Sequence, residues 1–410
     1  MPSHALRTGT VIVGDGTTIE DCTVGIEDGW IVEVTQGSPE GEYDEEHDVT
    51  DRVVMPGLID AHVHLNYTGE PEDLDLTGLS DEYITLRGAE MARRALGVGV
   101  TTLADVAAKG HTTFALRNAI RDGVTLGPRI KACGSMLAIT GGRATDGKQS
   151  GSIIEVDGPH DARKRARELL LYHHADLIKL AATGALSSPH TGARDPQLTV
   201  EEMRAAAEEA HKVGRPVHAH CYGEQGITNA LDAGVDVIVH GQSLTDEHIE
   251  RMVANGTILA PTLTVYRAAE HTEADDPIEQ FRDERNRPSS SAGVLAETEP
   301  NFRTALDAGV TMIMGTDSGM PYTRYGDNTH DPVYMVDWGM SEEDAIRAAT
   351  LDAARSLNAD YELGSIENGK RADLLVLTDN PLDDIEVLLD PGALDRICLD
   401  GRFVEDQLIR

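Results

Sequence analysis

Lysine, large aromatics and long apolar runs are all scarce in this chain. Only 7 of its 410 residues are Lys, against 28 Arg. Phe, Trp and Tyr together supply 4%. No apolar run nears the ~20 residues of a membrane span. Met1-Pro2-Ser3-His4-Ala5 opens no signal-peptide pattern. A soluble cytoplasmic protein is the expectation. The four cysteines, Cys22, Cys133, Cys221 and Cys398, form no CxxC pair, which fits neither a disulfide framework nor a zinc–thiolate site. No GxGxxG follows an early strand, which argues against a dinucleotide-binding open sheet.

Positive charge is scarce too. Lys and Arg total 35 against 71 Asp and Glu, a formal net charge of −36. A surface this acidic repels phosphate backbones and anionic lipid, so neither nucleic acid nor membrane is expected as a partner. The acids are spread along the chain rather than massed in a tail. With few Lys and few aromatics, they read as adaptation to high cytoplasmic salt, where the Debye length shrinks to about 3 Å at 1 M and self-repulsion is screened.

What is present is a rhythm. Residues 1–55 hold short strand-like runs (Thr10–Val13, Thr23–Glu27, Trp30–Val34) punctuated by Gly turns, with an acidic loop expected over Glu40–Asp48. From Met55 apolar strands alternate with amphipathic helices. The strands expected are Gly57–His64, Val100–Asp105, Ile130–Gly134, Leu177–Ala182, Pro216–Cys221, Val235–His240, Thr257–Thr262 and Thr311–Thr316. Helices are expected over 81–97, 112–122, 161–174, 199–213, 224–233, 245–255, 301–308 and 341–357. Eight such units predict an α/β fold, a (β/α)8 TIM barrel over 56–360. Strands return at Asp373–Leu377, Arg396–Leu399 and Arg402–Glu405, so 1–55 and 361–410 are expected to share one small β-sandwich domain.

Barrel chemistry sits at the C-terminal ends of the strands. Those ends carry Asp60-Ala61-His62-Val63-His64, Lys179, His218-Ala219-His220, His240 and Thr316-Asp317. Side chains two apart on a strand share a face, so each HxH points both imidazoles one way. Neutral imidazoles and a carboxylate suit Zn and related divalent ions. Lys179 stands inside the apolar run Leu177–Ala182. It pairs there with a carboxylate, or it is carboxylated to an anionic carbamate able to bridge two metals. His173-His174 falls before a strand, on the side away from catalysis. The polar insertion Ala269–Pro300 follows the seventh strand and is either a lid or a surface loop.

The run Val54-Met55-Pro56-Gly57-Leu58-Ile59-Asp60-Ala61-His62-Val63-His64 resembles the signature of the amidohydrolase superfamily. The tail Gly364–Leu374 with Asn380-Pro381-Leu382 resembles its return into the terminal β-domain. The likeness spans essentially the whole chain and leans to the imidazolonepropionase-like and prolidase-like group. That resemblance implies His62 and His64 on a buried metal, carboxylated Lys179 bridging, and His220 and His240 on a second metal. It gives Asp317 the buried metal and the role of proton-shuttling base. His218 is the alternative to His220; otherwise it lines the cavity. Two divalent ions, Zn by type, are implied, with a small-molecule or dipeptide substrate and a homo-oligomeric state. The activity implied is cleavage of an amide C–N bond in a dipeptide or N-acyl amino acid, with cyclic-amide hydrolysis or deamination as the alternative and a non-catalytic metal-binding barrel as the remote one. Deaminases of the superfamily tend to carry Glu three residues after the fifth-strand His, where this chain has Gly223 after His220. Arg143 stands where the family usually has His, and it could hold a substrate carboxylate bidentately. Tyr222 is the other substrate-binding candidate.

Overall fold

The computed structural model of the protein describes residues 2–142, 151–185, 191–268 and 291–404. Four strands open the chain: β1 (His4–Ile12), β2 (Thr18–Glu27), β3 (Trp30–Gln36) and β4 (Glu45–Pro56). Nine follow: β5 (Leu58–Val63), β6 (Val100–Asp105), β7 (Arg129–Ala132), β8 (Met136–Ala138), β9 (Ile153–Glu155), β10 (Ile178–Ala181), β11 (Val217–Cys221), β12 (Val237–His240) and β13 (Ile258–Ala260). The chain ends on β14 (Leu374–Leu377), β15 (Leu394–Leu399) and β16 (Arg402–Phe403).

Both chain ends build one seven-stranded sheet, in the order β16-β15-β14-β4-β1-β2-β3. Alternating apolar positions give it a buried face, including Leu6, Val24, Ile26, Val54, Leu374 and Val376. Its far edge returns towards the C-terminal segment. Ile31 N donates to Lys370 O at 2.8 Å, and the Arg371 guanidinium lies 3.8 Å over the Trp30 ring.

The parallel strands continue one another through backbone hydrogen bonds. β5, β6 and β7 pair in order, and β10, β11, β12 and β13 pair in order. Asp176 N to Ala132 O, 2.9 Å, joins β7 to the start of β10. Leu259 N to Thr311 O, 2.9 Å, joins β13 to residues 311–318, and Ala61 N to Met314 O, 3.1 Å, leads back to β5. Alternation sorts the side chains between two faces. Ile59, Ala61, Ala104, Val237, Val239 and Ile313 pack with Ala353, Ala354 and Leu357 from the helix Leu351–Ser356 and its end. Leu58, Leu103, Leu180, Val217, Ala219 and Ile238 pack instead against the surrounding helices. Among the described residues, no helix is long and apolar enough to cross a membrane.

Several local expectations need correction. The acidic loop expected over Glu40–Asp48 is strand from Glu45, because parallel pairing to β1 supplies the backbone partners that composition could not announce. Thr311–Thr316 forms only an isolated bridge, Leu259 with Met312, rather than a continuous strand. The expected helix 341–357 breaks at Thr350, which is non-helical at φ −134° and ψ −93°. The helix expected at 161–174 ends its α-turns at Arg167 and continues as a π-turn over Glu168–Tyr172. β8 and β9 form an unforeseen extension beside β10.

Candidate metal centre

Asp60 sets the position of the first two histidines. Its carboxylate accepts from the backbone N–H of His62 (3.2 Å) and Thr316 (3.1 Å), from Thr316 Oγ1 (2.6 Å) and from Asn328 Nδ2 (2.8 Å). These bonds tie the end of β5 to the segment that carries Asp317. Burial pushes the Asp60 carboxyl up to about 7, against the lowering effect of the Thr316 and Asn328 hydrogen bonds. Gly315 gives the close approach room, since a Cβ there would stand 3.0 Å from the Cβ of His62 and press on it.

Asp317 then meets both imidazoles. Its Oδ1 lies 2.9 Å from Nε2 of His64 and 3.4 Å from Nε2 of His62. Burial favours the neutral acid, but the two imidazole nitrogens that approach Oδ1 hold Asp317 well below the usual carboxylate range. Burial, with the nearby Lys179 charge, holds His62 well below the ordinary imidazole value, so it is neutral. A neutral imidazole facing a carboxylate is the protonation state that metal ligation requires.

His62, His240 and Asp317 bring ligand atoms within 4.8 Å of one another. His220 joins them through His240, with ring centroids 4.5 Å apart. Each of these two histidines is oriented by its other nitrogen. His220 Nε2 donates to Gly184 O at 2.8 Å, which leaves Nδ1 as the lone-pair nitrogen. His240 Nδ1 lies 2.8 Å from Thr262 Oγ1, which leaves Nε2 for the cluster. His240, Thr262 and Asp317 all hold left-handed backbone, at φ 71°, 53° and 63°. Non-glycine residues reach that region at a cost of about 1–2 kcal/mol each, and such strain gathers where side chains must be re-aimed.

Lys179 is 1% exposed. It stands opposite His218 in the β10–β11 register, and Ala181 stands opposite His220. Lys179, His218 and His220 therefore share the inward face. The structure brings His220, and not His218, to His240. His218 lies deeper, with Nε2 3.1 Å from Ser356 O, and burial pushes its imidazole down to about 3, leaving it neutral. Tyr222 does reach the cluster, its ring 4.5 Å from His220 and 4.7 Å from His240. Arg143 lies outside the described residues, as does 269–290 of the expected insertion, whose remainder begins the helix Ser291–Asp307.

The donor set fits divalent ions. Four imidazoles, one carboxylate and an amine, all buried, converge here, and Nδ1 of His62 and of His64 has no hydrogen-bond partner among the described residues. A cavity of about 440 Å³ opens at the turns after β11 and β12, lined by Gly223, Glu224, Ser243 and Leu244, and none of the candidate ligands lines it. Arg194 also lines it and is ion-paired to Glu297. Sequence reasoning missed Thr262, Gly184 and the binding partners of Asp60. Only Asp60 gave a signal, as a carboxylate two residues before His62 on the fully buried strand β5.

The amidohydrolase family model matches residues 53–404. Ochratoxinase of Aspergillus niger is 27% identical over 424 aligned residues, covering 96% of this chain and 85% of that protein. An imidazolonepropionase of Micrococcus luteus is 26% identical over 393 residues, 90% of each. The solved structure of a Xaa-Pro dipeptidase with bound methionine in its active site superposes with a TM-score of 0.88. It is 32% identical and covers 98% of this chain and 100% of that one. The matched span takes in every strand end described above, from His62 to Asp317, and the chain belongs to the amidohydrolase family of hydrolases.

Proposed function

We propose that the chain is a metal-dependent hydrolase of an amide C–N bond in a dipeptide or N-acyl amino acid. The observation that carries the reading is Asp317 Oδ1 within 3.4 Å of both His62 and His64 Nε2, beside His240. We read the ring of parallel neighbours as a (β/α)8 barrel over 56–360. The terminal sheet, from 1–55 and 361–410, is read as its companion β-domain. His62, His64 and Asp317 would hold one ion, His220 and His240 the other, with carboxylated Lys179 between them. Zn suits these ligands.

When bound, two divalent ions polarise the scissile carbonyl and make hydroxide accessible near neutral pH. The residues of this chain do the rest. Asp317, ionised and buried, accepts the proton of the attacking water and returns it to the leaving nitrogen. His218 stays neutral below the cluster and fills the cavity floor. Tyr222 faces the imidazoles where a substrate carbonyl or carboxylate would lie. Arg143 and Arg194 are the candidate guanidinium partners for a substrate carboxylate.

The resemblance to an imidazolonepropionase keeps cyclic-amide hydrolysis as a second reading. Deamination is less favoured: at Gly223 a Cβ would meet Arg194 O at 2.3 Å, so no side chain fits the place of the deaminase Glu. The test is a library of dipeptides, N-acyl amino acids and cyclic amides assayed at high salt. Release of a free amino acid from a linear amide is the expected result. Ring opening or ammonia release, with no linear amide cleaved, would overturn the proposal.

A further inference from the structure

The terminal sheet holds a second group of ligand-type side chains. His4 opens β1, and Glu45 and His47 lie at the start of β4. The strands run parallel with His4 opposite Glu45 and Leu6 opposite His47. Period-two alternation puts all four on one face, the face on which Leu6 is fully buried. There His4 Nδ1 lies 3.2 Å from His47 Nε2 and 3.5 Å from Glu45 Oε2. The third edge, Glu45 Oε2 to His47 Nε2, is 3.7 Å.

These edges are those of a metal-binding triangle. Bonds of about 2.0–2.1 Å at tetrahedral angles set ligand atoms roughly 3.3–3.4 Å apart. A histidine–histidine hydrogen bond explains one edge. It does not explain why the carboxylate converges on the same two nitrogens. The Phe403 ring closes one side, with centroids 5.8 Å from His4 and 4.8 Å from His47. His4 is 7% exposed, while the Glu45 side chain is 55% exposed and leaves a path for entry. One cation stands near: Arg396 Nη1, 3.5 Å from His47 Nδ1. Ligation through Nε2 would place the His47 proton on Nδ1, and Arg396 would keep its other partner, Asp395, 3.6 Å away.

We propose that His4, Glu45 and His47 form a second divalent-metal site, separate from the strand-end cluster. Two imidazoles and a carboxylate select Zn²⁺ or a similar borderline ion, with the remaining position open to water. An ion there would fasten β1 to its parallel neighbour β4 at the open end of their pairing.

The test uses the full-length protein without an affinity tag, stripped by chelator and dialysed against micromolar Zn²⁺. Zinc per chain is then counted in the wild type, in His4→Gln/His47→Gln and in Glu45→Gln. The double variant should hold one ion fewer than the wild type, with amide hydrolysis unchanged. Glu45→Gln, at an exposed position that folding tolerates, should raise the Zn²⁺ needed to fill that ion by about tenfold or more. Equal zinc counts and equal half-saturation in all three proteins would overturn the proposal. Because the readout is a difference between proteins with the same strand-end cluster, it is independent of how many ions that cluster holds.

Discussion

Thr262 Oγ1 lies 2.8 Å from His240 Nδ1, and both residues hold left-handed backbone. The hydroxyl fixes the imidazole so that Nε2 faces His62 and Asp317. Thr262→Val keeps the shape and removes the hydrogen bond. Outer partners of metal-ligating histidines are worth about 10–100-fold in affinity or activity. Thr262→Val should lose that much, and Thr262→Ser should recover most of it. Activity measured against added Zn²⁺ checks this, since a merely structural defect would not be relieved by more metal.

Asp60 joins two segments through four hydrogen bonds. Asp60→Asn keeps the volume but turns one acceptor into a donor, facing Thr316 Oγ1 and Asn328 Nδ2. Losing bonds to a buried carboxylate should cost about 2–3 kcal/mol. Denaturant unfolding should register that loss, with activity falling as His62 and Asp317 lose their shared anchor.

Glu209 links two helices. Hydrogen bonds from Arg167, Lys212 and Arg163 hold its carboxyl down to about 2, below an ordinary 4.5. A depressed carboxyl contributes stability above its unfolded pKa and loses it as pH falls through the folded one. The contribution should be full above pH about 4.5 and gone near pH 2, and Glu209→Gln should cost ~1–2 kcal/mol at pH 7 in low salt. Urea titrations of both proteins across that pH range provide the check. If the variant and wild type lose stability in parallel, Glu209 carries no such linkage.

A net charge of −36 sets a further expectation. The candidate ligands are buried, while unlike charges such as Arg324 with Glu70 and Arg303 with Glu299 decorate the outside. We propose that this acidity adapts the outer shell to salt. Screening shortens the Debye length from about 10 Å at 0.1 M to about 3 Å at 1 M, so melting temperature and activity should both rise over that range. A flat or falling profile would refute salt adaptation.

Much of this site was legible in the sequence because strands impose a period of two. His62 with His64, and His218 with His220, had to share faces, and the alternation of strand and helix placed them at equivalent ends. Residue type left both His218 and His220 open as the ligand; what the fold adds is position, with His220 against His240 and His218 Nε2 against Ser356 O. Backbone that departs from the regular period was not legible. His240 and Asp317 are aimed by left-handed turns that no propensity announces, and Thr262 becomes a partner only through such a turn. The start of β4 was hidden for a related reason, since pairing to β1 outweighs an acidic, loop-like composition.

The central claim is that Lys179 joins His62, His64, His220, His240 and Asp317 in a two-ion centre that cleaves amides. Metal content of the purified wild type and of Lys179→Ala, measured beside amide hydrolysis, tests it most directly. The two-ion reading predicts two strand-end ions per wild-type chain, counted in the His4→Gln/His47→Gln background. In Lys179→Ala it predicts loss of at least one ion and a fall in activity of at least 100-fold, on the order expected when a ligand that positions both metals is removed. One tightly bound ion in that background, with activity surviving Lys179→Ala, would contradict it.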